Sequence, residues 1–147
     1  MTRPHSVHAL GIAAAVGIML FSGCSSPLPT AAELPDGTFR GTSSPDDQGA
    51  VGAIEFTVHD GVITSASFVV TDPDGTVHDA DYGLSKSTGE PVDEAFYQRA
   101  QAAVAAEQVY VTQFKEAGDV DQVDVIAGAS LSHRQFVEAV EDALSGI

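Results

Sequence analysis

The chain has 147 residues, which is enough for one domain with a single core. It carries 6 Lys or Arg against 21 Asp or Glu, a formal net charge of −15 at pH 7. This balance argues against nucleic acid as a partner, because phosphate binding depends on clustered Lys and Arg. A surface this acidic would also be repelled by anionic lipid headgroups.

The first residues have the features of a bacterial lipoprotein signal peptide, which we place at residues 1–23. An uncharged run from Ala9 to Phe21 follows the single cation Arg3. The run is shorter than the ~20 apolar residues that span a bilayer, and it has the length of the apolar region of a secretory signal. It ends in "LFSGC", which resembles a lipobox and predicts lipidation of Cys24. A plain signal peptide that is cut nearby is the alternative.

Residues 24–35 are predicted to form a tether, and residues 36–147 the folded domain. The segment "SSPLPTAAELP" is rich in Ser, Pro and Ala and has no periodicity, which is typical of a linker. Without Arg3, the remaining chain has five Lys or Arg against 21 Asp or Glu, a charge of −16. The expected location is the extracytoplasmic face of the cell membrane, with the lipid rather than a basic patch as the anchor.

Three strand signals follow one another at the start of the domain. Gly37 and Gly41 bound a short strand, and the apolar residues of "AIEFTVH" alternate with polar ones, as in a strand with one buried face. Asp60-Gly61 predicts a two-residue type I′ turn, after which residues 62–71 return as the partner strand. These signals indicate a small antiparallel sheet.

The predicted hairpin contains a conflict of register. Without an irregularity, a two-residue turn pairs Phe56 with Ser65 and Ile54 with Ser67. Phe68 would then lie on the opposite face of the sheet, and apolar residues would occupy both faces. Either a β-bulge shifts one strand, or a second layer or a ligand covers the other face.

Two helices and a short strand are predicted in the second half of the chain. Pro91 suits the first turn of a long alanine-rich helix. Apolar residues recur at helical spacing along it, namely Phe96, Ala100, Ala103, Val104 and Val111. Residues 123–126 suggest a short strand. Ser132 is expected to begin a second helix, because Gln135 follows it in a capping-box pattern. The order of elements predicts one α+β domain with a small antiparallel sheet and two main helices.

The stretch "AGAS", residues 127–130, has almost no side-chain volume and lies just before the second helix. A helix N-terminus presents unpaired N–H groups and positive partial charge, which suit a phosphate. Gly128 would let the backbone approach that phosphate, and Ser130 offers a primary hydroxyl. His133 and Arg134 fall in the first helical turn, where a cation is disfavoured unless it faces an anion. An ordinary exposed turn is the alternative on these residues alone.

The same stretch resembles the signature of the FMN-binding domain family, found in subunits of sodium-pumping and electron-transporting respiratory complexes and in extracytoplasmic flavin lipoproteins. That signature is Asp-x-x-(Ser/Thr)-Gly-Ala-Thr, with Ser or Thr two residues later and then a helix. The positions that match it are Asp124, Gly128, Ala129 and Ser132. Ser130 stands where the family has a Thr that a flavin transferase can esterify to the FMN phosphate. Ala127 replaces the usual Ser or Thr and has no hydroxyl.

The resemblance implies that FMN is the cofactor and that Ser130 holds its phosphate, either covalently or reversibly. The residues implied in cofactor binding are Asp124, Ala127, Gly128, Ala129, Ser130, Ser132, His133 and Arg134. The implied role is an electron carrier, rather than an enzyme with its own substrate, between a membrane donor and an extracytoplasmic acceptor. The acceptor would be a redox protein, a quinone or another small molecule. A flavin-free interaction or ligand-binding module with the same fold is the alternative.

The sequence supports other kinds of site less well. The acidic segment 72–81 lacks the ligand spacing of an EF-hand loop, so a solvated turn is the simpler interpretation. His59 and His78 stand beside carboxylates, but at spacings that match no strong metal site. Ser130 and His133 have no carboxylate placed to complete a catalytic triad. We therefore predict no metal site and no catalytic residue.

Overall fold

The computed structural model describes residues 27–147, so the predicted signal peptide and Cys24 lie outside the described residues. Its main elements are β1 (Gly37–Thr42), β2 (Val51–His59), β3 (Val62–Thr71), α1 (Glu94–Ala117) and α2 (Ser130–Leu144). Short 3₁₀ turns at Ala31–Glu33 and Val120–Gln122 precede β1 and α2. Within residues 27–147, no helix is long and apolar enough to cross a membrane. The α+β class, with a small sheet and two main helices, is confirmed.

The three strands form one antiparallel sheet in the order β1-β2-β3. Asp60 and Gly61 form the turn between β2 and β3, with φ angles of 51° and 74°. A type I′ turn requires positive φ at both of its central residues. The predicted hairpin turn is therefore confirmed.

The register between β2 and β3 shifts at a β-bulge next to Val58. Val58 pairs with Ile63 as predicted, but beyond the bulge Ile54 faces Phe68 rather than Ser67. The shift places these four apolar residues on one face of the sheet, where all of them are buried. Of the two explanations for the register conflict, the bulge is confirmed.

Both helices pack on this apolar face of the sheet. Phe56 of β2 meets Phe114 of α1 edge to face, with ring centroids 5.1 Å apart. Phe68 of β3 meets Phe136 of α2 in the same way, also at 5.1 Å. Edge-to-face contacts are a favourable geometry for buried aromatic rings. They join the sheet and both helices into one core.

The helix α2 crosses close over Gly41 of β1. A Cβ on Gly41 would overlap the backbone of Ala139 and Ala143, so the close approach requires a glycine. Beside this crossing, the N–H of Thr42 donates to the carboxylate of Asp142 at 2.8 Å. These contacts fix the position of α2 relative to the sheet.

The helix α1 begins three residues after Pro91, the predicted first turn. Its N-cap is Asp93, whose carboxylate accepts the N–H of Phe96 at 2.6 Å. Pro91 lies before the cap and pairs with Leu84 in an isolated bridge. An acidic N-cap satisfies one of the free N–H groups of the first turn, which Pro91 cannot do.

The helix α2 begins at Ser130, with Ala129 as its N-cap, so the predicted start at Ser132 is wrong. The predicted capping box is also absent, because both of its side chains are buried. Gln135 instead donates to the carbonyl of Ala50 at 2.9 Å. Residues distant in the chain determine the hydrogen bonds of these two side chains, because a buried polar group needs a hydrogen-bond partner.

Two further features of the structure differ from the prediction, a missing strand and the start of the packed domain. Residues 123–126 form no strand and run irregularly from the second 3₁₀ turn to α2. The packed domain begins before Asp36, because Ala31 and Leu34 are buried in the core. The N–H of Ala31 also donates to the carbonyl of Gly118 at 2.7 Å. Part of the predicted tether is therefore packed against the domain.

Candidate functional site

The turn before α2 leaves the first N–H groups of the helix open. Gly128 has a φ of 85°, a value that favours glycine, and no atom lies within 4 Å of the place that a Cβ would take. The N–H of Ala129 closes the turn by donating to the carbonyl of Ile126 at 3.0 Å. In the described part of the chain, the N–H groups of residues 130–132 have no protein acceptor. The positive end of α2 is thus available to an anion.

Tyr110 of α1 holds this turn in place. Its buried hydroxyl donates to the carbonyl of Ala129 and accepts from the N–H of Ile126, both at 3.1 Å. The ring of His133 stands edge-on to Tyr110, and its Nε2 donates to the carbonyl of Val123 at 2.8 Å. The turn is therefore organised by the protein itself, which lowers the cost of ordering it around a ligand.

A cleft of about 190 Å³ lies in front of the turn. The side of the cleft formed by α2 and the turn consists of Gly128, Ala129, Leu131, Ser132 and Gln135. A wider cleft of about 420 Å³ adjoins it, and Gln48, Asp72 and Tyr82 line both. Together the two clefts can accept an elongated ligand that carries a charged group at one end.

The opposite wall of the smaller cleft comes from the segment after β3. Nε2 of His78 lies 2.9 Å from a carboxylate oxygen of Asp72, and both side chains are partly buried. The His78 ring stacks on Tyr82, with centroids 3.6 Å apart. Burial, and then the charge of Asp72, raise the pKa of Tyr82. Interpreting residues 72–81 as a solvated turn therefore missed one wall of the site.

The wider cleft has an apolar wall. The rings of Tyr82 and Phe96 meet edge to face, with centroids 6.0 Å apart. Val92 is 80% exposed and Phe96 is 42% exposed, so both side chains offer accessible apolar surface. Accessible aromatic and aliphatic surface beside a polar cleft suits a flat, largely apolar ring system.

A buried carboxyl group lies behind the smaller cleft. Glu107 of α1 is 1% exposed, and its Oε1 accepts the hydroxyl of Ser132 at 3.0 Å. Burial raises the pKa of Glu107, although the hydrogen bond from Ser132 and the charge of His78 oppose this change. Sequence reasoning missed Glu107. The available signal was its helical spacing from Tyr110 and Phe114, which places it on the buried face of α1.

The structure brings some of the predicted cofactor-binding residues together. Gly128, Ala129 and Ser132 line the smaller cleft. Ser130 is exposed and stands between two residues that line the cleft. Asp124 and Ala127 are exposed and lie outside the lining. The start of α2, rather than the whole predicted segment, lines the cleft.

His133 and Arg134 do not line the cleft. His133 is engaged with the carbonyl of Val123. Nε of Arg134 lies 3.8 Å from Oε1 of Glu138, one turn further along α2. In this geometry, the backbone N–H groups at the start of α2 supply positive potential at the cleft, and the side chains of His133 and Arg134 do not.

A possible metal-binding group lies at the hairpin, away from the cleft. Among residues 27–147, Asp36, His59 and Asp60 bring three potential ligand atoms within 4.8 Å of one another. All three side chains are exposed, and hydrogen bonds inside the group explain the geometry, since Nδ1 of His59 lies 2.7 Å from Asp36. Nothing else in the structure indicates a cation there.

Comparisons with known proteins point to the same part of the chain. The model of the FMN-binding domain family matches residues 50–145, well over half of the sequence. The crystal structure of the CPE2226 protein from Clostridium perfringens superimposes with a TM-score of 0.59 at 23% identity. The match covers 77% of this chain and 88% of that one, and at this identity the likeness concerns the fold. Comparison with curated proteins gives no match.

Proposed function

The chain belongs to the FMN-binding domain family, with FMN as its cofactor, and from this premise we propose that it is a membrane-anchored extracytoplasmic electron carrier. When bound, FMN supplies reversible one- or two-electron transfer. The residues of the protein bind the flavin, orient it and limit the access of water. The donor would lie in the membrane, and the acceptor would be a redox protein, a quinone or another small molecule.

The observation that carries this proposal is the open start of α2. Three N–H groups that have no acceptor among residues 27–147 adjoin a glycine turn in which the Cβ position is empty. A phosphate needs both features, because it takes hydrogen bonds from the backbone and must come close to it. The donor set therefore fits the phosphate of FMN.

The rest of the flavin would follow the two adjoining clefts. Gln48, Asp72 and Tyr82 line both clefts and offer polar atoms for the ribityl hydroxyls. Phe96 and Val92 at the wider cleft offer apolar surface for the ring system. A flat ring system that covers this exposed apolar surface removes it from water, which favours binding.

We place covalent attachment, where it occurs, on Ser130. Its primary hydroxyl is exposed at the first residue of α2, between Ala129 and Leu131 of the cleft. A flavin transferase would supply an activated flavin phosphate. The bond from Oγ of Ser130 to phosphorus forms as the bond from phosphorus to the leaving group breaks, and the hydroxyl proton goes to the departing group or to solvent.

Visible absorbance and intact mass test this proposal together. The protein is made with and without a flavin transferase, beside Ser130→Ala and Ser132→Ala variants. We expect yellow protein with the added mass of FMN only when both the transferase and Ser130 are present. A flavin-bearing peptide in Ser130→Ala protein would move the attachment elsewhere. Colourless wild-type protein that also fails to bind free FMN would refute the electron-carrier function.

The membrane anchor is a separate part of the proposal. The sequence "LFSGC" supports lipidation of Cys24, and the acidic domain offers no basic patch that could bind a membrane instead. We expect Cys24→Ala to shift the protein out of the membrane fraction or to block its processing. The measurement is fractionation with an immunoblot, with Ser25→Ala as the matched control. Unchanged membrane retention of Cys24→Ala would refute the lipid anchor.

A further inference from the structure

Glu107 and Ser132 form a buried pair directly behind the proposed phosphate position. Glu107 is 1% exposed and Ser132 is 7% exposed, and Oγ of Ser132 lies 3.0 Å from Oε1 of Glu107. Ser132 is also one of the residues that line the smaller cleft, and it belongs to the first turn of α2. One hydroxyl thus connects a buried carboxyl group to the cleft.

The direction of this hydrogen bond depends on the proton of Glu107. When the carboxyl group is ionised it can only accept, so the single hydroxyl proton of Ser132 is committed to Glu107. When the carboxyl group is protonated it can donate to Oγ of Ser132. The Ser132 hydroxyl is then free to donate towards the cleft. An anion in the cleft prefers the second arrangement, and it is also repelled by an ionised carboxylate.

We propose that Glu107 takes up one proton when the FMN phosphate binds at the start of α2, and that Ser132 relays this change as a hydrogen-bond donor to the phosphate. The proposal rests on the proposed function of the same site. The proton comes from solvent and stays on Glu107 while the phosphate is bound. Glu107 is a positioning residue, since it acts through Ser132.

Other titratable groups near Glu107 are accounted for. His78 and Asp72 form a hydrogen-bonded pair across the cleft, and Tyr82 stacks on His78. Asp46, from the loop between β1 and β2, lines the same cleft. The charge of His78 acts to keep Glu107 ionised in the free protein, while burial acts against it. The carboxylates of Asp46 and Asp72 add negative potential in the cleft, so a neutral Glu107 favours an anion there.

The proposal gives a signed dependence on pH. Burial raises the pKa of Glu107 above the ordinary value for a glutamate. Below that pKa the acid is already protonated, and FMN binds without proton uptake by Glu107. As pH rises through it, each binding event must first protonate Glu107, and affinity falls by up to about tenfold per pH unit. The FMN phosphate has an ionisation of its own, with a second pKa of ~6.

Calorimetry separates these two contributions. Free FMN is titrated into protein made without transferase, in buffers of different ionisation enthalpy, which gives the number of protons taken up. The proteins are wild type, Glu107→Gln, Ser132→Ala and the control Glu116→Gln, an exposed glutamate of the same helix. The phosphate contributes equally in all four proteins. We expect Glu107→Gln to take up fewer protons than wild type, by up to one per FMN. When the titration is repeated at alkaline pH, Glu107→Gln should bind FMN about tenfold more tightly than wild type.

Each result decides the proposal. Equal proton uptake by wild type and Glu107→Gln would overturn it, and so would full uptake by Ser132→Ala. Infrared difference spectra give a second readout, in which FMN binding should produce a protonated-carboxyl band in wild type and in Glu116→Gln but not in Glu107→Gln. The absence of that band in wild type also overturns the proposal. If wild-type protein binds no FMN at all, the proposed function itself has failed.

Discussion

Gly128 offers the sharpest test of the site, because a single methyl group should affect stability and FMN binding by separate mechanisms. Gly128 has a φ of 85°, and nothing lies within 4 Å of the Cβ position. Gly128→Ala therefore meets no clash in the free protein. It does meet conformational strain, since a left-handed backbone costs an L-residue about 1–2 kcal/mol.

The substitution should also weaken FMN binding, by a mechanism separate from the strain. Gly128 lines the smaller cleft, so the new methyl group would occupy space that the phosphate needs. Loss of one hydrogen bond between a backbone N–H and a charged phosphate costs about 1.5–3 kcal/mol, which corresponds to a roughly 10- to 100-fold weaker affinity. The strain by itself should lower the melting temperature by roughly 4 °C per kcal/mol, a value suited to a domain of this size.

Gly89 provides the matched control. It has a φ of 70° and equally open surroundings, and it lines neither cleft. Thermal unfolding and FMN titration by flavin fluorescence are measured for wild type, Gly128→Ala and Gly89→Ala. We expect similar losses of stability in both variants and a loss of affinity in Gly128→Ala alone. If Gly128→Ala binds FMN as tightly as wild type, the placement of the phosphate is refuted. It is also refuted if both variants lose the same amount of FMN affinity.

Two further predictions concern packing and charge. Gly41→Ala should destabilise the domain by about 3 kcal/mol in urea unfolding, because its Cβ would overlap the backbone of α2. The control Gly37→Ala, on the same strand with no atom within 4 Å of the new Cβ, should change stability little, and equal effects would contradict the close crossing. Arg134→Ala should change FMN affinity by less than about fivefold at low and moderate salt, because the side chain pairs with Glu138 rather than lining the cleft. A larger, salt-sensitive loss would restore the phosphate-facing role that the sequence suggested for Arg134.

The sequence by itself determined the features that depend on local chemistry. Asp60-Gly61 specifies a type I′ turn because few other residue pairs tolerate positive φ at both positions. The small residues before α2 indicate an open helix N-terminus, because the backbone conformations that glycine tolerates depend on the residue itself and not on distant contacts. The order of these local signals was enough to predict the α+β class.

Tertiary structure alone decided the features that depend on partners distant in the chain. Ser132 lies inside α2 rather than at its cap, and its hydroxyl donates to Glu107, which lies 25 residues earlier in the chain. The second wall of the cleft forms because His78 makes a hydrogen bond with Asp72 and stacks on Tyr82, in a segment without regular structure. Local preferences are worth about 1 kcal/mol or less, whereas leaving a buried polar or charged group without a partner costs several times more. Long-range contacts therefore override local signals where polar side chains are buried, and in this protein Glu107, Ser132 and Gln135 are buried beside the candidate site.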